Sequence, residues 1–97
     1  MTAKISCEND GLIVSGELNF HTVGSLWKQS LPLLSSHKKV HIDLEKVTLV
    51  NSAGLSLLLE WIKLAKRENK SISFKNMPEQ LISIAKMAGI SDMLMQV

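Results

Sequence analysis

Cysteine is nearly absent from this sequence of 97 residues, and the one present, Cys7, cannot form an internal disulfide. Long apolar runs are absent too. Ser56 and Glu60 bound the longest run, residues 57–59, which is far shorter than the about 20 residues of a membrane-spanning helix. Residues 1–4 lack the apolar stretch of a signal peptide. These absences predict a reduced, cytoplasmic location, with no direct insertion into a membrane.

Neither sign of charge dominates the composition. Eleven Lys and Arg residues against nine Asp and Glu residues leave a net charge of +2, which is too small to indicate binding to nucleic acid. His21, His37 and His41 lack the spacing of metal ligands, so we expect neither a metal site nor a cofactor. The sequence has no linker, internal repeat or low-complexity tract. Its length and its 45% of hydrophobic residues predict a single domain over residues 1–97.

The first third of the sequence predicts a hairpin followed by a helix. Apolar and polar residues alternate around Ile5, turn-forming residues follow at 9–11, and an apolar run follows at 12–14. Apolar residues then recur at helical spacing over residues 23–34. We expect this first helix to fray at Pro32, because proline lacks a backbone donor.

Strand and helix patterns continue to alternate in the rest of the chain. We predict a strand at 40–44, a loop at 45–46, a short strand at 47–50 and then a helix at 52–69. After these we predict a strand at 72–74, a helix from about 78 to its C-cap at Gly89, and a last turn at 91–92. Strands joined through helices must be parallel neighbours. We therefore expect an α/β fold with a small, mixed but mostly parallel sheet and its helices largely on one face.

The segment at residues 50–55 places Ser52 between a short apolar strand and a long helix. Backbone amides at a helix start have no partner within the helix, so a side chain there caps the helix or meets a partner or phosphate group. Asn51 and Ser52 are both good N-cap residues, and we expect one of them to fill that role. Ser52 is the residue that we expect to carry function.

Several segments together resemble the STAS family, the sulfate-transporter and anti-sigma-factor-antagonist domain. They are residues 16–19 (GELN), 42–44 (IDL), 50–55 (VNSAGL) and 57–59 (LLL). Within the family, the chain is most similar to the MlaB-type subunits of phospholipid-transporting ABC complexes, over residues 54–59, 62–66 and 81–86. The resemblance implies a non-catalytic domain that binds the ATPase of such a complex, and through it a membrane permease. The Ser52 loop and the helix after it would form the contact.

The resemblance leaves a second function open, that of an anti-sigma factor antagonist switched by phosphorylation. In some family members a partner kinase phosphorylates the residue at the position of Ser52, and a phosphate there would change the charge at the helix start. Those members have Asp where this chain has Asn19 and Asn51. Amides in place of both carboxylates argue against a kinase-driven switch but leave docking through the loop unaffected.

The helix that begins at Ser52 has a second apolar stripe beside the one expected to face the sheet. Leu57, Trp61 and Leu64 lie on this stripe. One interpretation is a partner-binding surface centred on Trp61, in which case Trp61→Ala would abolish binding with little effect on the fold. The alternative is that the stripe lies at the edge of the core under a neighbouring helix. The predicted partner-binding residues are, in full, Asn19, Asn51, Ser52, Ala53, Gly54, Leu57 and Trp61.

A catalytic function would need more than the sequence offers around Ser52. The hydrolase motif G-x-S-x-G is incomplete, because Val50 replaces its first glycine. A catalytic triad would also need His21 or His41 delivered to the loop together with Asp43. We therefore predict no catalytic residues.

Overall fold

The computed structural model describes residues 3–8, 11–90 and 94. Within these residues, an initial hairpin is followed by alternating helices and strands, as expected. The elements are β1 Ala3–Glu8, β2 Gly11–Leu18, α1 Val23–Ser35, β3 Lys39–Val50, α2 Ser52–Arg67, β4 Ser71–Lys75 and α3 Glu79–Met87. The turn residues predicted at 9 and 10 and the turn predicted at 91–92 lie outside the described residues.

The strands form one sheet in the order β1-β2-β3-β4. β1 and β2 are antiparallel, with Ile5 opposite Val14, whereas β2–β3 and β3–β4 are parallel pairs. The parallel pairs are joined through α1 and α2, since a parallel connection must cross over the sheet. The prediction of a mixed, mostly parallel α/β sheet is therefore confirmed.

One face of the sheet carries the helices and the other face is open. In β2, Leu12, Val14 and Leu18 are buried, while the residues between them are partly exposed. This alternation is what a strand with one covered face requires. The helices contribute further fully buried residues to the same core, among them Leu26, Leu58 and Leu81. The expected placement of the helices is confirmed.

β3 is one continuous strand, so the loop predicted at residues 45–46 is wrong. The register explains the difference. While β2 advances from Ile13 to Ser15, β3 advances from Asp43 to Lys46, and a second shift follows after Gly16. Each shift inserts an extra residue into β3, as a β-bulge does. The insertions break the alternation of apolar residues without ending the strand.

The helix ends differ from the prediction at two places. α1 continues past Pro32 without fraying, because Ser30 and Leu34 on either side of the proline are buried in the core. α2 ends two residues earlier than predicted, just before Asn69, whose φ of 56° is left-handed. Gly89 follows α3 with a φ of 75°, so its role at the end of that helix is confirmed.

Trp61 is a core residue, so the hypothesis of an exposed surface centred on it is wrong. Its side chain is 0% exposed, and its indole Nε1–H donates a hydrogen bond of 2.9 Å to Ser30 Oγ on α1. Leu57 and Leu64 are also buried. The second apolar stripe of α2 is therefore covered by the core and by α1, as the alternative interpretation expected.

Candidate partner-binding site

Asn51 connects the end of β3 to the start of α2 and leaves Ser52 at the surface. The Asn51 N–H donates to the Leu18 carbonyl at 3.0 Å, which fixes the loop to the end of β2. The Asn51 Oδ1 accepts a hydrogen bond of 2.8 Å from the Ala53 N–H. Asn51 is therefore the N-cap of α2. Ser52, the first residue of the helix, is exposed, and its hydroxyl is not needed for capping.

Asn19 builds the neighbouring turn, between β2 and α1. Its Oδ1 accepts from the His21 N–H at 2.8 Å, and its backbone N–H donates to Thr22 Oγ1 at 3.0 Å. The Thr22 hydroxyl in turn donates to the Glu17 carbonyl at 2.7 Å. These bonds hold the turn in a shape that leaves Phe20 at its outer side, 74% exposed.

Parallel pairing brings the two asparagines to the same edge of the sheet. Leu18 lies opposite Val50, so β2 and β3 end side by side. Asn19 and Asn51 are the next residues on each strand and line a common recess. Both side chains have structural tasks, Asn19 in the turn and Asn51 in the cap.

Ala53 and Gly54 hold α2 close to the ends of the strands. A Cβ on Gly54 would clash with Val50 Cγ2 and would lie 3.0 Å from Leu18 Cβ. Glycine is therefore needed for this close approach. Both residues are buried, and Gly54 positions the Ser52 loop. A contact of either residue with a partner stays a prediction.

An apolar groove of about 380 Å³ runs between α1 and α2 near their N-terminal ends, and Ala53, the residue after Ser52, lines it. We call it the α1–α2 groove. Its lining residues are Phe20, Val23, Gly24, Trp27, Ala53, Ser56, Leu57 and Glu60. Sequence reasoning found Ala53 and Leu57 but missed the contribution of α1. The available signal was Phe20, a large apolar residue placed in a polar turn.

The residues around Ser52 do not assemble the triad considered above. His41 and Asp43 lie in the first half of β3, away from the end that leads to Ser52. A ring nitrogen of His41 bonds with Ser73 Oγ at 2.7 Å. Asp43 accepts from Asn76 Nδ2 at 3.0 Å.

In residues 3–8, 11–90 and 94, no group of three or more His, Cys, Asp or Glu side chains is arranged to hold a metal ion. Among the helices of that part of the chain, none combines the length and the apolarity that crossing a bilayer requires.

The mixed sheet with helices on one face and the position of Ser52 at the β3–α2 junction agree with the resemblance to the STAS family. The family model described as "Mlab, STAS domain" matches residues 1–96. This chain therefore belongs to the STAS domain family.

Among its relatives, the chain is similar to MlaB, the binding protein of the intermembrane phospholipid transport system. The Escherichia coli (strain K12) protein is 31% identical over 78 residues, which are 80% of this chain and 78% of that protein. The Haemophilus influenzae MlaB is 28% identical over 85 residues, 84% of this chain and 81% of that protein. An anti-sigma-B factor antagonist of Bacillus subtilis (strain 168) is 26% identical over 88 residues, 90% of this chain and 81% of that protein.

A solved structure of an anti-sigma factor antagonist has the same fold. The anti-sigma factor antagonist SpoIIAA in its unphosphorylated form superposes with a TM-score of 0.66 at 12% identity, over 88% of this chain and 82% of that one. At this identity the likeness concerns the fold alone.

Proposed function

We propose that this chain is a non-catalytic accessory subunit that binds the cytoplasmic ATPase of a phospholipid-transporting ABC complex and supports its assembly or activity. The similarity to MlaB, which belongs to a phospholipid transport system, supports this assignment. The subunit then works at the cytoplasmic side of the inner membrane. It is held there by the ATPase and, through the ATPase, by the permease.

The observation that carries the proposal is the exposed Phe20 beside an apolar groove and Ser52. Large apolar side chains that remain in water beside an apolar concavity are typical of protein interfaces, where aromatic residues supply much of the binding energy. Ser52 lies one helical turn before Ser56, which lines the groove. A partner that covers Phe20 and fills the α1–α2 groove would therefore also contact Ser52.

Gentle purification of the tagged chain from its native cells tests this function. The bound proteins are identified by mass spectrometry for the wild type and for Phe20→Ser. The matched control is Met87→Ser, which removes another exposed apolar side chain, at the far end of α3. We expect an ABC ATPase with the wild type and the control and its loss with Phe20→Ser. Absence of any ABC ATPase from the wild-type sample would contradict the proposal.

A second candidate is an anti-sigma factor antagonist switched by phosphorylation of Ser52. The relative in Bacillus subtilis and the exposed hydroxyl at the first position of α2 favour it. The amides of Asn19 and Asn51 argue against it, since neither supplies a negative charge beside Ser52. Phosphate on Ser52, together with a co-purifying kinase or anti-sigma factor, would establish this function in place of the first.

A further inference from the structure

Glu17 has an unusual environment for a charged residue at the end of a strand. It belongs to β2 and points to the open face of the sheet, away from the buried Leu18. Its Oε2 is covered from solvent and has no hydrogen-bond partner within the described part of the chain. A covered carboxylate oxygen without a partner is costly, because the hydrogen bonds that it made to water are not replaced.

The surroundings of Glu17 combine this charge with an apolar wall. Glu17 lies directly opposite Leu49 of β3, and Leu49 is 53% exposed. Together they line a recess of about 320 Å³, which we call the Glu17 recess. Its lining residues are Glu17, Leu18, Asn19, Leu49, Val50 and Asn51. The recess therefore opens beside Ser52, on the other side of the loop from the α1–α2 groove.

Among the described residues, no cation forms an ion pair with Glu17. The two ion pairs in that part of the chain are Lys63–Glu60 and Lys70–Glu68. Lys4 of β1 and Lys46 of β3 are the nearest candidates by register, since both lie opposite Ser15, two positions before Glu17 on the same face. Neither makes an ion pair with Glu17. Within the described residues, the carboxylate therefore has no paired cation.

We propose that the Glu17 recess receives a basic side chain, arginine or lysine, of the partner that docks at Ser52. Both side chains have an apolar stem and a cationic end. The stem would pack on Leu49 while the cation bonds to the Glu17 carboxylate. The inference rests on the proposed function, because it assumes that the partner approaches the Ser52 loop. It adds the chemistry of a second contact, which selects partners carrying a basic residue at that place.

The test uses the ATPase recovered from native cells and measures its dissociation constant for purified variants of this chain. Glu17→Gln removes the charge but keeps the shape of the side chain, and Glu17→Lys reverses the charge. The matched control is Glu8→Gln, an exposed carboxylate at the opposite end of the sheet. Lys4→Gln and Lys46→Gln test the intramolecular alternative. Melting temperatures are measured for all variants.

We expect Glu17→Gln to weaken binding about 10- to 100-fold, the cost of losing a hydrogen-bonded charge, and Glu17→Lys to weaken it further. Glu8→Gln, Lys4→Gln and Lys46→Gln should bind within about twofold of the wild type. The Glu17→Gln loss should shrink at high salt, because screening weakens the pair in the wild type. Wild-type affinity for Glu17→Gln would overturn this inference and leave the proposed function standing. Failure of the wild-type chain to bind any ATPase would overturn both.

Discussion

At the scale of single residues, Asn51 is the N-cap of α2, so the exposed Ser52 beside it is not needed for capping. We expect Asn51→Ala to lower the free energy of unfolding by about 1 kcal/mol, because the Ala53 N–H loses its acceptor. Asn51→Asp should retain full stability, since a carboxylate also accepts this bond and suits the positive end of the helix. Urea unfolding measures both, and equal stability of all three proteins would contradict the capping role.

Trp61 and Ser30 join the two helices on which the α1–α2 groove is built. We expect Trp61→Ala to lower the free energy of unfolding by about 3–5 kcal/mol, because it leaves a large cavity in the core. Ser30→Ala should cost about 1–3 kcal/mol by leaving the buried indole N–H without a partner. Thermal unfolding checks both. If the Trp61→Ala protein melts like the wild type but no longer binds its partner, Trp61 is an exposed contact residue, and its assignment to the core is contradicted.

At the scale of elements, the contact between α2 and the strand ends depends on Gly54. Gly54→Ala should lower the free energy of unfolding by about 1–3 kcal/mol, since the added Cβ has no room beside Val50 and Leu18. Gly24→Ala is the matched control in α1, where a Cβ would meet nothing within 4 Å. The free energy of unfolding of this control should rise by up to about 1 kcal/mol, because alanine has a higher helix propensity than glycine. Chemical denaturation compares the two, and a Gly54→Ala protein as stable as the control would contradict the close approach.

The elements also show what the sequence can and cannot predict. The strands and helices were predictable because alternation and helical spacing are local patterns, and the position of Ser52 followed from them. The continuity of β3 was not predictable, because bulges shift the alternation of apolar residues and so resemble a loop in the sequence. The burial of Trp61 was not predictable either, since spacing shows which residues share a helix face but not which helix covers that face. Phe20 escaped notice because a single residue in a turn has no periodicity.

At the scale of the whole molecule, Asp43 on the open face of the sheet makes the stability of the fold depend on pH in the acid range. The pKa of Asp43 is lowered from its usual value of 3.8, first by the hydrogen bond from Asn76 and then by the backbone N–H of Glu45. A lowered pKa in the folded state stabilises the fold above pH 3.8, and this contribution disappears as the pH falls through the lowered value.

On acidification from about pH 5 to about pH 2, which spans the titration of the Asp43 carboxyl, the free energy of unfolding should therefore fall less in Asp43→Asn than in the wild type. Asn76→Gly should have a similar effect while tolerating the φ of 57° at that position. Unfolding curves recorded across this pH range measure the pH dependence of the free energy of unfolding for each protein. A steeper acid loss in Asp43→Asn than in the wild type would contradict this account.

The α1–α2 groove and the Glu17 recess both lie at the end of the molecule where β2 and β3 lead into the helices. The α1–α2 groove offers apolar surface and the Glu17 recess offers a negative charge. A partner spanning both would cover the loop between them. Such a surface combines an apolar centre with a polar contact, as stable protein interfaces do.

The measurement that tests the central claim most directly is a titration of the ATPase recovered from native cells with the purified wild-type chain, Ser52→Ala and Ser52→Glu. Ser52→Ala keeps the surface nearly unchanged and should bind within about threefold of the wild type, since one exposed hydroxyl contributes little. Ser52→Glu adds a bulky charge in the middle of the contact and should weaken binding about 100-fold or more. If the ATPase binds Ser52→Glu as tightly as the wild type, this surface is not where the partner docks.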